Sequence, residues 1–324
     1  MPDLDRRSFL MNATLATTAL AAGCSTTGPH GGLPPRRFSL DLTPGAIGVS
    51  GTPLQLIQLA HAHGFESVQP DAWALEKLDD AGLASVRDAL RGSALRWGSA
   101  GLPVEFRKDE DTFQTELKRL PSAARALQKV GAQRVGTWLM PGSNDLETRP
   151  NLDQHARRLR AVATILQDHG LRFGLEYVGT PSLRTRFKYA FVHNLPQALE
   201  LISAIQVRNT GLILDSWHWW TAGDTAQALA QLKNSDVVAV DLNDAPNGVP
   251  LDEQQDNRRE LPTATGVIPV ATFLQALLRM NYDGPVRAEP FNQPLNALEN
   301  DEACARTVAA LRQAVTLAET VRPA

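Results

Sequence analysis

Four acidic residues in this chain share one setting. Glu176 closes the run Leu171-Arg-Phe-Gly-Leu-Glu176, Asp215 closes Gly211-Leu-Ile-Leu-Asp215, Asp241 closes Val237-Val-Ala-Val-Asp241 and Glu289 closes Pro285-Val-Arg-Ala-Glu289. Apolar runs of this kind read as strands of a parallel sheet buried on both faces, and their last residues emerge at the C-terminal rim, where such folds keep their chemistry. Carboxylates delivered to one cavity repel one another and raise each other's pKa. They stay ionised together only with a cation among them, and a divalent metal is the economical choice. His218 follows Asp215 in Ser-Trp-His-Trp-Trp220. A duller assignment also fits that stretch, with Asp215 capping the next helix and His218 packed between indoles.

The elements that must carry these residues alternate from end to end. Strands are predicted over 37–42, 66–70, 95–100 and 134–138, followed by the four that end at Glu176, Asp215, Asp241 and Glu289. Between and after them lie helical stretches over 52–63, 79–90, 111–130, 151–169, 196–205, 225–233, 270–280 and 302–320. Thr52 before a first-turn Pro53, with Gly64 behind, is a helix with both ends marked. Eight βα units in one domain-sized chain predict an α/β fold, a (β/α)8 TIM barrel closed by right-handed crossovers. No Gly-x-Gly-x-x-Gly turn follows the first strand, which argues against an open dinucleotide-binding sheet.

The two longest connections are 179–193, with Arg184, Arg186, Lys188, Tyr189, Phe191 and His193, and 245–266. The first reads as a lid or as local packing. Trp138, Trp217, Trp219 and Trp220 supply flat apolar faces near strand ends, suited to a sugar ring or to core filling.

The chain has 324 residues, 43% hydrophobic, with a formal net charge of −3. That balance carries no electrostatic footprint for nucleic acid. Residues 1–34 stand apart from the fold. Asp5-Arg6-Arg7-Ser-Phe-Leu10 is a twin-arginine pattern ahead of a mildly apolar stretch too short to span a membrane, which predicts passage through the twin-arginine export machinery. Leu20-Ala-Ala-Gly-Cys24 resembles a lipoprotein signal-peptidase site with its leucine one place early, so the expected destinations are the periplasm or a lipid anchor at Cys24. Residues 25–35 read as a tether, leaving 35–324 as the barrel domain. Cys304 alone remains in the folded part and is expected to be a buried structural thiol.

The acidic strand ends resemble those of the xylose isomerase-like TIM barrels of the sugar phosphate isomerase/epimerase family. That superfamily also holds ketose 3-epimerases, inosose dehydratases, keto-glycoside lyases and endonuclease IV. The resemblance spans about residues 37–320 and rests on Leu175-Glu176, Leu214-Asp215-x-x-His218, Asp241-Leu-Asn243-Asp244, Asp256-Asn-Arg258-Arg259-Glu260-Leu-Pro262 and Glu289-Pro-Phe291. It implies one divalent ion, Mn²⁺, Co²⁺, Mg²⁺ or Zn²⁺, held by Glu176, Asp215, a strand-seven residue and Glu289. The family places His at strand seven where this chain has Asp241, so Asp241, Asn243 and His218 all stand as candidates to complete the shell. An all-oxygen set favours Mn²⁺ or Mg²⁺. His218 and Asn243, with Arg258 or Arg259, are expected to face the substrate, joined by Trp138, Tyr189 and His193.

Such a site suits removal of a proton beside a carbonyl, with Glu176 and Glu289 as the acid–base pair on opposite faces of an enediolate. Return of the proton to the opposite face epimerises, return to the neighbouring carbon isomerises, and loss of a β-substituent eliminates. No glycine-rich phosphate cradle is evident, which favours a non-phosphorylated sugar or keto-sugar. The alternatives are a keto-glycoside lyase or dehydratase on the same site and an exported, non-catalytic sugar-binding barrel. Hydrolysis like that of endonuclease IV would need several more histidines and a basic surface.

Overall fold

The computed structural model describes residues 33–321, so the twin-arginine stretch, Cys24 and most of the tether lie outside it. Eight strand positions follow one another: β1 Ser39–Leu42, β2 Ser67–Val68, β3 in two pieces Arg96–Trp97 and Ala100–Gly101, β4 Arg134–Trp138, β5 Arg172–Glu176, β6 Thr210–Asp215, β7 Val237–Leu242 and β8 Pro285–Ala288. All neighbours pair in parallel. The sheet starts at Arg96–Trp97, runs through β2, β1, β8, β7, β6, β5 and β4, and finishes on Ala100–Gly101. Its two edges are therefore halves of one segment, and the ring closes through Gly98 and Ser99, as the barrel expectation requires.

The regular count of eight strands and eight helices needs correction: short helices also form at Ala72–Glu76, Pro181–Arg184 and Gln293–Asn296, and three further departures follow. The third strand is broken, with only its outer pieces paired. The helix expected over 111–130 is two, Glu110–Leu117 and Leu120–Val130, because Pro121 lacks the N–H that would continue the first and is tolerated only in an opening turn. The stretch after Asp215 is itself a helix, Ser216–Ala222, ahead of a short Ala226–Ala230. Asp215 caps the first of these, its carboxylate accepting the Trp217 N–H at 2.7 Å.

The barrel interior is filled from alternate strand positions. A Cβ at Gly174 would stand 2.8 Å from Ile213, so the missing side chain there makes room for this interior isoleucine. Nearer the rim the filling turns ionic. Asp41, Arg287, Asp241 and Asp215 occupy one register row across β1, β8, β7 and β6. Outside the ring Cys304 is fully buried, its thiol pushed up to about 12 by desolvation, as expected of a structural thiol. No helix among the described residues is long and apolar enough to cross a membrane.

Candidate active site

Each of the four acids arrives where its strand ends. Glu176 is the last residue of β5 and is buried, with Oε1 lacking any hydrogen-bond partner. Burial first, then Glu289, Asp241 and Asp215, push its carboxyl well above the usual range. Glu289 follows β8 directly, and burial with the nearby Asp241 charge raises it to about 8. Ligand atoms of Glu176, Asp215 and His218 lie within 4.8 Å of one another, as do those of Glu176, Asp241 and Glu289. Glu176 is common to both groups.

Two guanidinium groups already stand among these acids. Arg259 Nη1 donates to Asp215 Oδ2 at 2.7 Å and to Glu289 Oε2 at 3.3 Å, while Nη2 donates to Asp256 Oδ1 at 2.8 Å. Its side chain is 1% exposed. Arg287 grips Asp241 through Nε and, at 3.0 Å, through Nη2. Both oxygens of Asp241 are thus engaged by Arg287, while its carboxylate still lies within 4.8 Å of ligand atoms of Glu176 and Glu289. Even with this fork, burial keeps the Asp241 carboxyl raised. Asp41, on the far flank of Arg287, is fully buried with both oxygens unpartnered, and desolvation lifts it to about 7.

The donor set fits a divalent cation, since buried carboxylates converge on Glu176 and its Oε1 is an acceptor without a partner. The fit carries a condition. Asp215 and Glu289 currently share Arg259, so an ion coordinated by both must compete with that guanidinium.

His218 is buried, and the Gly179 N–H donates to its Nδ1 at 3.3 Å. Arg259 Nη2 in turn donates to Nε2 at 3.2 Å, and that nitrogen also faces Asp256 Oδ1 at 3.6 Å and Glu176 Oε1 and Asp215 Oδ2, each 3.9 Å away. Both ring nitrogens thus face donors, and a substrate contact through Nε2 requires Arg259 to move. Desolvation holds its pKa below the usual value. A Cβ on Gly179 would collide with the Ser216–Ala222 helix, so only glycine lets the chain come close enough for this bond.

The remaining expected residues divide. Asn243 is fully buried and braces the site, its Nδ2 donating to Asp215 Oδ1 at 3.1 Å and its Oδ1 accepting the Glu289 N–H at 2.9 Å, so its amide is not directed at a substrate. Arg258 is exposed, and of the pair only Arg259 enters the site. Trp138 closes β4 in register with Glu176 and is 40% exposed at the rim. Trp217 and Trp219 are core, the first donating to Thr180 Oγ1 at 3.0 Å and the second packing on Phe273. The 179–193 connection is held locally. Tyr189 lies in a two-residue strand paired with Gly142–Ser143, and the His193 ring meets the Phe191 carbonyl at 2.6 Å. Neither Tyr189 nor His193 bonds to the acids.

Asp256 was not foreseen. Thr180 donates to it at 3.3 Å and Arg259 at 2.8 Å, tying the two long connections together beside His218. Despite burial, Arg259 and His218 hold its carboxyl below the usual range. Arg287 was also missed, although it stands two residues before Glu289 in a strand and so must share its face.

The model of the xylose isomerase-like TIM barrel family matches residues 57–320. An inosose isomerase of Bacillus velezensis is 22% identical over 251 residues, covering 76% of this chain and 86% of that protein. A xylose isomerase domain protein from Alicyclobacillus acidocaldarius superposes with a TM-score of 0.77 at 32% identity, over 87% of this chain and 99% of its own. The structure of an IOLI protein with a bound zinc atom shares the fold at a TM-score of 0.73 and 17% identity, over 88% of this chain and all of its own.

Proposed function

Since this chain belongs to the xylose isomerase-like TIM barrel family, we propose that it is a divalent-metal-dependent sugar isomerase or epimerase, working through an enediolate on a non-phosphorylated sugar or keto-sugar. The observation that carries this reading is the convergence of the buried Glu176 and the half-buried Glu289, both of raised pKa, on one space beside Asp241. Glu176, Asp215, Asp241 and Glu289 would hold the ion. When bound, such an ion supplies Lewis-acid polarisation of a substrate carbonyl.

The chain's own groups do the rest. Desolvation makes both glutamates stronger bases than free carboxylates, and their mutual repulsion favours a state in which one holds a proton and the other does not. The ionised carboxylate takes the proton from the carbon beside the carbonyl. The C–H electron pair becomes the enediolate double bond, and the carbonyl pair moves onto oxygen. Delivery of a proton by the opposite glutamate to the other face of that carbon gives the epimer, and delivery to the former carbonyl carbon gives the isomer. His218 Nε2, now held by Arg259 Nη2 at 3.2 Å, would meet a substrate oxygen once Arg259 turns away.

Incubation in deuterium oxide with a panel of keto-sugars tests this. Wild-type protein should put deuterium into one of them, and Glu176→Gln or Glu289→Gln should slow this by about 10²- to 10⁴-fold, the usual worth of a positioned acid or base. Metal-replete wild-type protein that exchanges no carbon-bound proton would leave a sugar-binding barrel instead. Keto-glycoside elimination is the second reading, favoured by the open trough beside Trp138. The twin-arginine pattern supports export as part of the same proposal.

A further inference from the structure

Beside the acids an open trough crosses the C-terminal face over the first four strands. One part, about 410 Å³, is lined by Trp73, Leu102, Glu105, Arg107, Glu116 and Trp138. A second part, about 430 Å³, shares Trp73, Gly101 and Leu102 with it and continues over β1 toward Pro44 and Gln69. Each is of the size of a small-molecule pocket on its own, so the whole is longer than one sugar ring needs.

None of the acids lines the trough, and its link to the reacting centre is Trp138. Trp138 pairs with Glu176 across β4 and β5, and Gly136, two residues earlier, faces the barrel interior against Ile213. Strand alternation therefore turns Trp138 inward at the mouth, beside Glu176. Trp73 and Trp138 are 38% and 40% exposed, among the most exposed large apolar residues described. Each has an arginine over its ring, Arg119 on Trp73 and Arg107 on Trp138, at 4.8 and 4.3 Å from the centroids. Arg107 is fixed by Glu105, by Thr137 Oγ1 at 2.8 Å and by the Trp138 carbonyl at 2.7 Å. An indole face beside fixed carboxylate and guanidinium groups matches a sugar ring, whose C–H face meets the π surface while its hydroxyls meet the polar rim.

The floor of the trough is open at Gly101. A Cβ built there meets nothing within 4 Å, and the residue has ordinary extended backbone, so a larger side chain would project into the trough without disturbing the fold.

We propose that this trough is a second sugar-ring subsite, so that the substrate is a two-ring glycoside with its reacting ring at Glu176 and Glu289 and its other ring between Trp138 and Trp73. The inference rests on the assignment of Glu176 and Glu289 as the reacting pair.

Calorimetry and intrinsic tryptophan fluorescence with cellobiose, maltose, lactose and trehalose, set against glucose and fructose, test it. At least one disaccharide should bind roughly tenfold tighter than the monosaccharides. Gly101→Phe and Trp73→Ala should abolish that difference while leaving monosaccharide binding and the melting temperature in place. Disaccharides no tighter than monosaccharides, or an advantage that survives both substitutions, would overturn the subsite. Exchange into a keto-monosaccharide without any two-ring advantage would sink this inference alone. A two-ring advantage without exchange would sink the catalytic reading and leave the subsite standing.

Discussion

The guanidinium of Arg259 faces Asp215 and Glu289, two of the acids assigned to a metal, and is held from behind by Asp256. A divalent ion and a guanidinium repel strongly at such separations in a desolvated site, so metal entry is expected to turn Arg259 out toward the cavity. Arg259→Gln should therefore raise Mn²⁺ affinity by about tenfold or more, equivalent to at least about 1.4 kcal/mol. The same change leaves Asp215 and Glu289 buried without their cation, so the metal-free variant should lose about 3–5 kcal/mol of stability. Calorimetric titration and metal-free melting read the two effects, and weaker Mn²⁺ binding by the variant would mean that Arg259 does not compete. Protons compete as well. Glu289, raised to about 8, is largely protonated at pH 6 and must give up that proton to coordinate an ion. Mn²⁺ affinity should climb by up to about tenfold per pH unit from 6 to 8 and then flatten, with proton release on binding. A flat profile would remove Glu289 from the ligand set.

At the scale of elements, the helix Thr148–Asp168 pins the connections after β3 and β5 to the barrel. His155 on that helix sits between Phe106 and Phe191, at ring-centroid distances of 5.7 and 4.6 Å, with its Nδ1–H on the Asn151 carbonyl at 3.0 Å and a buried, unpartnered Nε2. Desolvation lowers its pKa from 6.5 to about 4. As pH falls through 6.5 the unfolded chain takes up the proton and the folded chain does not, so stability contributed by the neutral ring is lost between pH 6.5 and 4, by up to about 3 kcal/mol. Urea unfolding of wild type and His155→Phe across that window should isolate this slope, and parallel curves would refute it. Why some elements were legible and others not follows from their surroundings. The runs 211–215 and 237–241 were evident because strands buried on both faces leave continuous apolar sequence. β3 departs from its expected span because Gly98-Ser99 breaks the pairing inside an apparently continuous run, and the 111–130 stretch divides because Pro121 opens a second helix. The acids at the rim were legible since strand ends mark them. The cations that answer them were harder, because Arg259 arrives from an irregular connection. Arg287 follows from parity with Glu289 only once the strand is known to face the barrel interior.

For the molecule as a whole, the proposed export raises the question of whether folding precedes passage. Among the described residues the hydrophobic core runs from Phe38 to Ala318, and the acids and arginines of the site all belong to the barrel. A chain beginning at Leu33 should accordingly melt within about 2 °C of the full-length protein and bind Mn²⁺ equally well, a shift smaller than about 1 kcal/mol would cause in a domain of this size. The proposed twin-arginine route carries folded proteins, and a site with this many buried charges is assembled only when the ring has closed, so that proposal predicts folding before export. Replacing Arg6 and Arg7 with lysine should then leave folded, metal-competent protein in the cytoplasm, whereas Cys24→Ser should release it from the membrane fraction without blocking export. Cell fractionation with melting and Mn²⁺ titration of each pool reads all three chains. Unchanged export of the lysine variant would refute the twin-arginine assignment, and a chain from Leu33 that fails to fold would show that the leader does more than address the protein.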